Sequence, residues 1–211
     1  MTQRILIASG NAKKLAELRA ICKSLPIEIL GPETLPHGLP EVDEDQPDFI
    51  GNAKKKALSA AHAAQEIGAD IWALADDSGL CVDALQGQPG VHSARYAGVS
   101  NENRDLANNQ KLLKELQGLP KEARNAQFQC VIALAHQEQI LFHVQGTVAG
   151  HILETPSGED GFGYDPLFYH GGSGRTFACL SGQEKAQVSH RGQAVAKLHT
   201  ELQERLSLSS E

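Results

Sequence analysis

The hydrophobic pattern opens with a short β-type run over residues 4–8, closed by Ser9-Gly10-Asn11. A helical period then takes over, with Leu15, Leu18, Ile21, Cys22 and Leu25 on one face, until Pro26 stops it. Residues 27–30 read as a second strand. Residues 31–47 carry four prolines and the acidic cluster Glu41, Asp43, Glu44 and Asp45, which predicts a loop. Asp48 is placed to cap an Ala-rich helix over residues 49–67. A buried strand is expected at residues 71–75, broken by Asp76-Asp77-Ser78-Gly79, with residues 80–82 extended again.

Residues 86–93 are turn-rich, and residues 103–116 form an amphipathic helix ended by Gly118 and Pro120. Residues 128–135 and 140–148 read as paired antiparallel strands joined by a polar turn. A glycine-rich stretch over residues 158–174 precedes a last helix, residues 183–206, with Val195, Leu198, Leu202 and Leu206 spaced for burial. Strands and helices alternating at the start, then a hairpin and a closing helix, predict an α/β fold with a mixed sheet.

Composition narrows the function classes. The 211 residues suit one domain or two small lobes, and 41% hydrophobic with 21% charged residues is ordinary for a globular chain. No apolar run approaches the length of a membrane span and no signal-peptide pattern is present, so a cytoplasmic protein without membrane partners is expected. A formal charge of −7 disfavours nucleic acid as a partner, although a small polyanion remains open if basic residues converge. Cys22, Cys81, Cys130 and Cys179 are dispersed, which predicts reduced, mostly buried thiols.

Four segments carry candidate chemistry. Ser9, Gly10, Asn11, Ala12, Lys13 and Lys14 follow a strand and open a helix, where backbone N–H groups and two lysines suit an anion. An ordinary turn capped by Asn11 fits the same residues. Asp76 and Asp77 form an acid pair that a cation would stabilise, and Mg²⁺ prefers a few carboxylates with water and phosphate. A solvated Asp-Ser-Gly turn is the alternative. Phe162, Gly163, Tyr164 and Asp165 offer either a stacking platform for a planar base or a hydrophobic plug. Lys185, His190 and Arg191 add cationic donors near the start of the last helix, or a solvated face. Together the four suit a base-bearing polyphosphate with a divalent metal.

These segments resemble the inosine/xanthosine triphosphate pyrophosphatases, which remove deaminated purine nucleotides. The matching residues are Ser9 to Leu15, Asn52-Ala53 with Lys56-Ala57, Ala75 to Leu80, Gly90 with Ser93-Ala94-Arg95-Tyr96, residues 161–168, and Glu184-Lys185 with Ser189-His190-Arg191-Gly192. The resemblance implies that residues 9–14 and Lys56 contact a triphosphate. It implies that Asp77 binds Mg²⁺ and acts as the base, with Ser78 beside it and Asp76 near the attacking water. Asp43 or Glu44 would be the second metal ligand, and residues 162–165, Lys185, His190 and Arg191 would enclose the purine and sugar.

The implied architecture is a single domain of two lobes over residues 1–211, an elongated mixed sheet flanked by helices with the nucleotide in a cleft, assembled as a homodimer. The implied reaction turns ITP, dITP or XTP into the monophosphate plus pyrophosphate. Gly51 and Cys179 stand where the family commonly carries Glu. The alternatives are a pyrophosphatase for other modified nucleotides, as in the related Maf-like proteins, and a catalytically silent nucleotide sensor.

Overall fold

The structure, a computed structural model, describes residues 2–9, 19 and 25–208. The helical period expected at Leu15, Leu18, Ile21 and Cys22 lies outside the described residues. Among the described residues seven strands form one sheet: β1 (Gln3–Ile7), β2 (Ile27–Leu30), β3 (Ile71–Val82), β4 (Asn125–His136), β5 (Gln139–Ile152), β6 (Phe168–His170) and β7 (Arg175–Thr176), in the order β2-β1-β3-β4-β5-β6-β7. β1 runs parallel to β2 and β3, whereas β6 is antiparallel to β5 and β7, so the sheet is mixed. The described helices are α1 (Phe49–Ala64), α2 (Arg104–Glu115), α3 (Gly182–Val188) and α4 (His190–Leu208). Among the described residues no helix is long and apolar enough to cross a membrane.

The chain divides into two compact units, unit 1 being Met1–Asp77, Cys130–Gln145 and Ala194–Glu211, and unit 2 being Ser78–Gln129 and Gly146–Gln193. Each has its own core. In unit 1, Ile5, Ile7, Leu74, Ile132 and Leu134 of the strands bury against Ala194, Val195, Leu198 and Leu202 of α4. Leu206, expected on the same stripe, is only half-buried. In unit 2, Phe128, Phe168 and Phe177 form an aromatic cluster with Leu80, Leu112, Leu116 and Ile152 around it.

Three expectations are corrected. First, β3 is not broken at Asp76-Asp77-Ser78-Gly79 but runs unbroken from Ile71 to Val82. β1 leaves its edge at the Ile7–Leu74 pair. Farther along β3, the Leu80 N–H donates to Ser93 Oγ (2.9 Å) and the Val82 N–H to the Gln88 carbonyl (3.1 Å). β4 is its neighbour on the other side. Those partners satisfy an extended backbone, so a turn-favouring tetrapeptide stays in the strand.

Second, the closing helix is split at Ser189, which is extended at φ −79° and ψ 159°. Its Oγ accepts the Gly192 N–H (3.1 Å), the geometry of an N-cap, so α4 starts afresh after α3. A Cβ on Gly192 would strike the Ala186 carbonyl oxygen, so glycine is required at this corner. The cysteines also differ from expectation: Cys81, Cys130 and Cys179 form no disulfide, but of these three only Cys130 is buried, and Cys22 lies outside the described residues.

Candidate active site

In unit 1 the Asp48 carboxylate accepts the Gly51 N–H (2.7 Å) and starts α1 as expected. The buried face of α1 is small, with Ala53, Ala57, Ala60, Ala61 and Ala64, and Asn52 lies on it one turn before Lys56. Lys56 Nζ is 2.8 Å from Asp77 Oδ1 and 2.6 Å from Glu44 Oε1, with only 21% of its side chain exposed. One ammonium therefore serves two carboxylates. Burial pushes the Asp77 carboxyl above its ordinary value, Glu44 adds to the rise, and Lys56 offsets only part of it. For Lys56, burial alone would depress the pKa, but Asp77 and Glu44 together outweigh it and hold the ammonium charged.

Asp77 Oδ2 is buried without a hydrogen-bond partner among the described residues, as is Asn52 Nδ2. The Gln46 N–H donates to Asn52 Oδ1 (3.1 Å), which fixes the amide's orientation. Asn52 stands close enough to Asp77 to lower its pKa slightly, yet the pair does not reach hydrogen-bond geometry. An acid oxygen buried in this way is a free acceptor for a proton or a metal.

Of the two acids left open by the sequence, Glu44 converges with Asp77 and Asp43 does not. Asp43 is exposed, and among the described residues its peptide oxygen accepts from Lys55 Nζ at 3.0 Å, while Lys55 pairs with Asp45 at 2.9 Å. Asp76 is buried, and alternation along β3 puts its side chain on the opposite face from Asp77. Ser9 is half-buried just past β1, its N–H on the Ile7 carbonyl (3.0 Å). Gly10, Asn11, Ala12, Lys13 and Lys14 lie outside the described residues.

In unit 2 the residues 162–165, Lys185, His190, Arg191 and Ser78 do assemble. Asp165 Oδ2 accepts the Phe162 N–H (2.8 Å) and Lys185 Nζ (2.5 Å). Gly161 sits at φ +84°, and a Cβ there would collide with the Asp165 carboxylate. Lys185 Nζ lies 4.7 Å from the centre of the Phe162 ring and the Arg191 guanidinium 5.6 Å from it, so two cations flank one half-buried aromatic face. Arg191 Nη2 donates to Ser78 Oγ (3.3 Å). His190 is buried with its ring stacked on Phe128 at 4.7 Å.

The two aromatics of the loop divide the two roles the sequence left open. Phe162 presents a face, whereas Tyr164 is a plug, 4% exposed with its hydroxyl on the Ser93 carbonyl (2.9 Å). Lys185 is steadied from below by α3, whose Ser181 and Glu184 form a capping box. The Arg175 guanidinium and the Ser181 N–H hold Glu184 down to about 2.

Sequence reasoning missed the supports of this loop. Asp105 Oδ2 accepts the Gly163 N–H (2.7 Å) and Asn109 Nδ2 donates to the Gly163 carbonyl (2.9 Å), so one turn of α2 clamps both sides of a single residue. The available signal was two adjacent asparagines, Asn108 and Asn109, on the buried face of an amphipathic helix. Gly51 also finds a reason: Gln46 Cβ lies 2.7 Å from where a Cβ on residue 51 would be, so glycine lets Gln46 close over the first turn of α1. Cys179 Sγ accepts from Thr176 Oγ1 (3.3 Å), and its thiol is held below its ordinary pKa by that bond and by Ser157.

The chain belongs to the Ham1 family, whose model matches residues 5–201. It is 47% identical over 199 residues to the dITP/XTP pyrophosphatase of Geobacter sulfurreducens, covering 94% of this chain and 96% of the relative. The dITP/XTP pyrophosphatase of Desulforamulus reducens is 45% identical over 194 residues, 92% of each chain. Among solved structures, a HAM1 protein from Coxiella burnetii superposes with a TM-score of 0.86 at 40% identity, covering 95% of this chain and 98% of that one.

Proposed function

We propose that this chain is a nucleoside triphosphate pyrophosphatase that hydrolyses dITP, ITP and XTP to the monophosphate plus pyrophosphate, with Mg²⁺ as cofactor. The observation that carries the reading is the Lys56 ammonium gripped by Glu44 and Asp77, with the second oxygen of Asp77 buried and without a hydrogen-bond partner among the described residues. Full-length likeness to relatives named dITP/XTP pyrophosphatases supports the substrate class.

Glu44 and Asp77 fit a hard divalent cation: both are oxygen donors, they already converge on one positive charge, and Asp77 Oδ2 has no hydrogen-bond partner among the described residues. When bound, Mg²⁺ supplies charge neutralisation at the phosphates and lowers the pKa of a coordinated water. Asp77 takes the proton of the attacking water as it adds to the α-phosphorus, and the bond to the bridging oxygen breaks to release pyrophosphate. Lys56 stabilises the charge that grows on the leaving group. Lys13, Lys14 and the rest of residues 9–14 enter this scheme through the resemblance alone.

Unit 2 carries the base. The Phe162 face suits stacking of a purine, and Lys185 and Arg191 are donors beside it. A donor aimed at a 6-keto oxygen is satisfied by hypoxanthine or xanthine and left unpaired by adenine, a mismatch that discriminates by roughly 10⁴-fold. Homodimer assembly belongs to the same proposal, and light scattering of the purified chain tests it.

The deciding experiment measures pyrophosphate against orthophosphate released from dITP, XTP, ITP, ATP and GTP, with Mg²⁺ and with chelator. Pyrophosphate from the first three alone, lost on chelation, is expected. Orthophosphate would move attack to the γ-phosphorus and overturn the scheme, and binding of dITP without turnover would leave a sensor.

A further inference from the structure

The grip on Lys56 has a consequence for the order in which ligands arrive. Glu44 and Asp77 direct one oxygen each at the same Nζ, at 2.6 and 2.8 Å, so the Lys56 ammonium is in ion-pair contact with both. Asp77 is 6% exposed and its other oxygen, Oδ2, has no hydrogen-bond partner among the described residues. A divalent cation held by Glu44 and by either oxygen of Asp77 would lie close to the Lys56 ammonium. The two cations would then repel strongly, because like charges a few ångströms apart are poorly screened in a part-buried setting.

We propose that Lys56 is a resident counter-ion that keeps divalent cations off the Glu44–Asp77 pair until a polyphosphate arrives. Phosphate oxygens then give the ammonium a replacement partner, and the carboxylates are released to metal. Metal and polyphosphate therefore bind with positive coupling, each raising the affinity of the other. The same lysine keeps the acids from facing each other uncompensated while the site waits. The proposal rests on the reading of Glu44 and Asp77 as metal ligands.

The test titrates Mn²⁺ into the full-length, nucleotide-free chain and reads free Mn²⁺ by electron paramagnetic resonance. Lys56→Met is expected to bind Mn²⁺ at least ~10-fold more tightly than the wild type, a gain of about 1.4 kcal/mol. Lys56→Arg, which keeps the charge, is expected to stay near the wild type. Equal affinity of wild type and Lys56→Met overturns the proposal.

A second arm needs no variant. Saturating Mn²⁺ should raise acetylation of Lys56 by acetic anhydride several-fold, read by mass spectrometry, while Lys55, paired with Asp45, serves as the internal control. Bound Mn²⁺ with unchanged Lys56 labelling would sink the idea even if Lys56→Met fails to fold. Because both arms omit the nucleotide, they fail separately from the proposed reaction: pyrophosphate release from dITP with no gain in Lys56→Met discards only the counter-ion role.

Discussion

Lys56 in unit 1 and Lys185 in unit 2 are both part-buried lysines, with 21% and 15% of their side chains exposed, each set against a buried aspartate whose side chain is 8% or 3% exposed. Their wiring is opposite. Asp165 collects two donors on one oxygen, Lys185 and the Phe162 N–H, inside a loop that α2 clamps at Gly163. Among the described residues, Asp77 shares the Lys56 ammonium with Glu44 and leaves its second oxygen without a hydrogen bond. The same pair of residue types is thus used once to hold a shape and once to hold a charge in readiness. A satisfied buried pair gives rigidity, whereas an under-satisfied one retains capacity to bind and to take up protons.

The comparison breaks most visibly at Asp77. Asp77→Asn is expected to lower kcat by about 10²–10⁴-fold, the range for loss of a general base. It should not lower the melting temperature, because burial and Glu44 already make the ionised carboxyl costly in the fold. The sign follows from the raised pKa. Between the ordinary value of 3.8 and the higher value in the folded state, the native protein binds more protons than the unfolded chain. Wild-type stability therefore falls as pH rises through that window, and the contribution is absent from Asp77→Asn. Thermal melts of both proteins from acid to neutral pH check this, and identical pH slopes would contradict it.

Asp165→Ala should act on stability instead. It strands a part-buried ammonium and the Phe162 N–H, a loss of about 3 kcal/mol in urea unfolding. Asp165→Asn keeps an acceptor for the N–H and should lose less. A neutral Asp165→Ala would mean the loop is not held by this pair. The smallest effect is expected from Asn109→Ala, which releases the Gly163 carbonyl: KM for dITP rises about tenfold while kcat is nearly kept, since the change touches positioning of the base and not the reacting atoms. Steady-state kinetics on dITP separates the two parameters.

Local signals explain most of what could be read without the fold. Asp48 caps its helix, residues 27–30 pair as a strand, and the apolar stripe through Val195, Leu198 and Leu202 packs into the unit 1 core, because each depends on neighbours within a turn or on simple periodicity. The break expected at Asp76-Asp77-Ser78-Gly79 failed because β4, a strand from far along the chain, lies beside β3 in the sheet, and no local pattern shows that neighbour. The missed division of the last helix was written in Ser189 and Gly192, but the collision that demands glycine is with a carbonyl of the preceding helix.

The chemistry divides along the same line. Sequence by itself determined which groups are present: an acid pair after an apolar strand, a lysine one helical turn beyond Asn52, and an aromatic glycine loop followed by cations. It also determined the family resemblance those groups carry. Only the tertiary structure decided that Glu44 and not Asp43 meets Lys56, that Phe162 presents a face while Tyr164 fills the core, and that Asp105 and Asn109 brace the loop. Periodicity sets the direction of a side chain relative to its own backbone, but convergence of residues far apart in the chain is set by how helices and strands pack, and no local pattern encodes that.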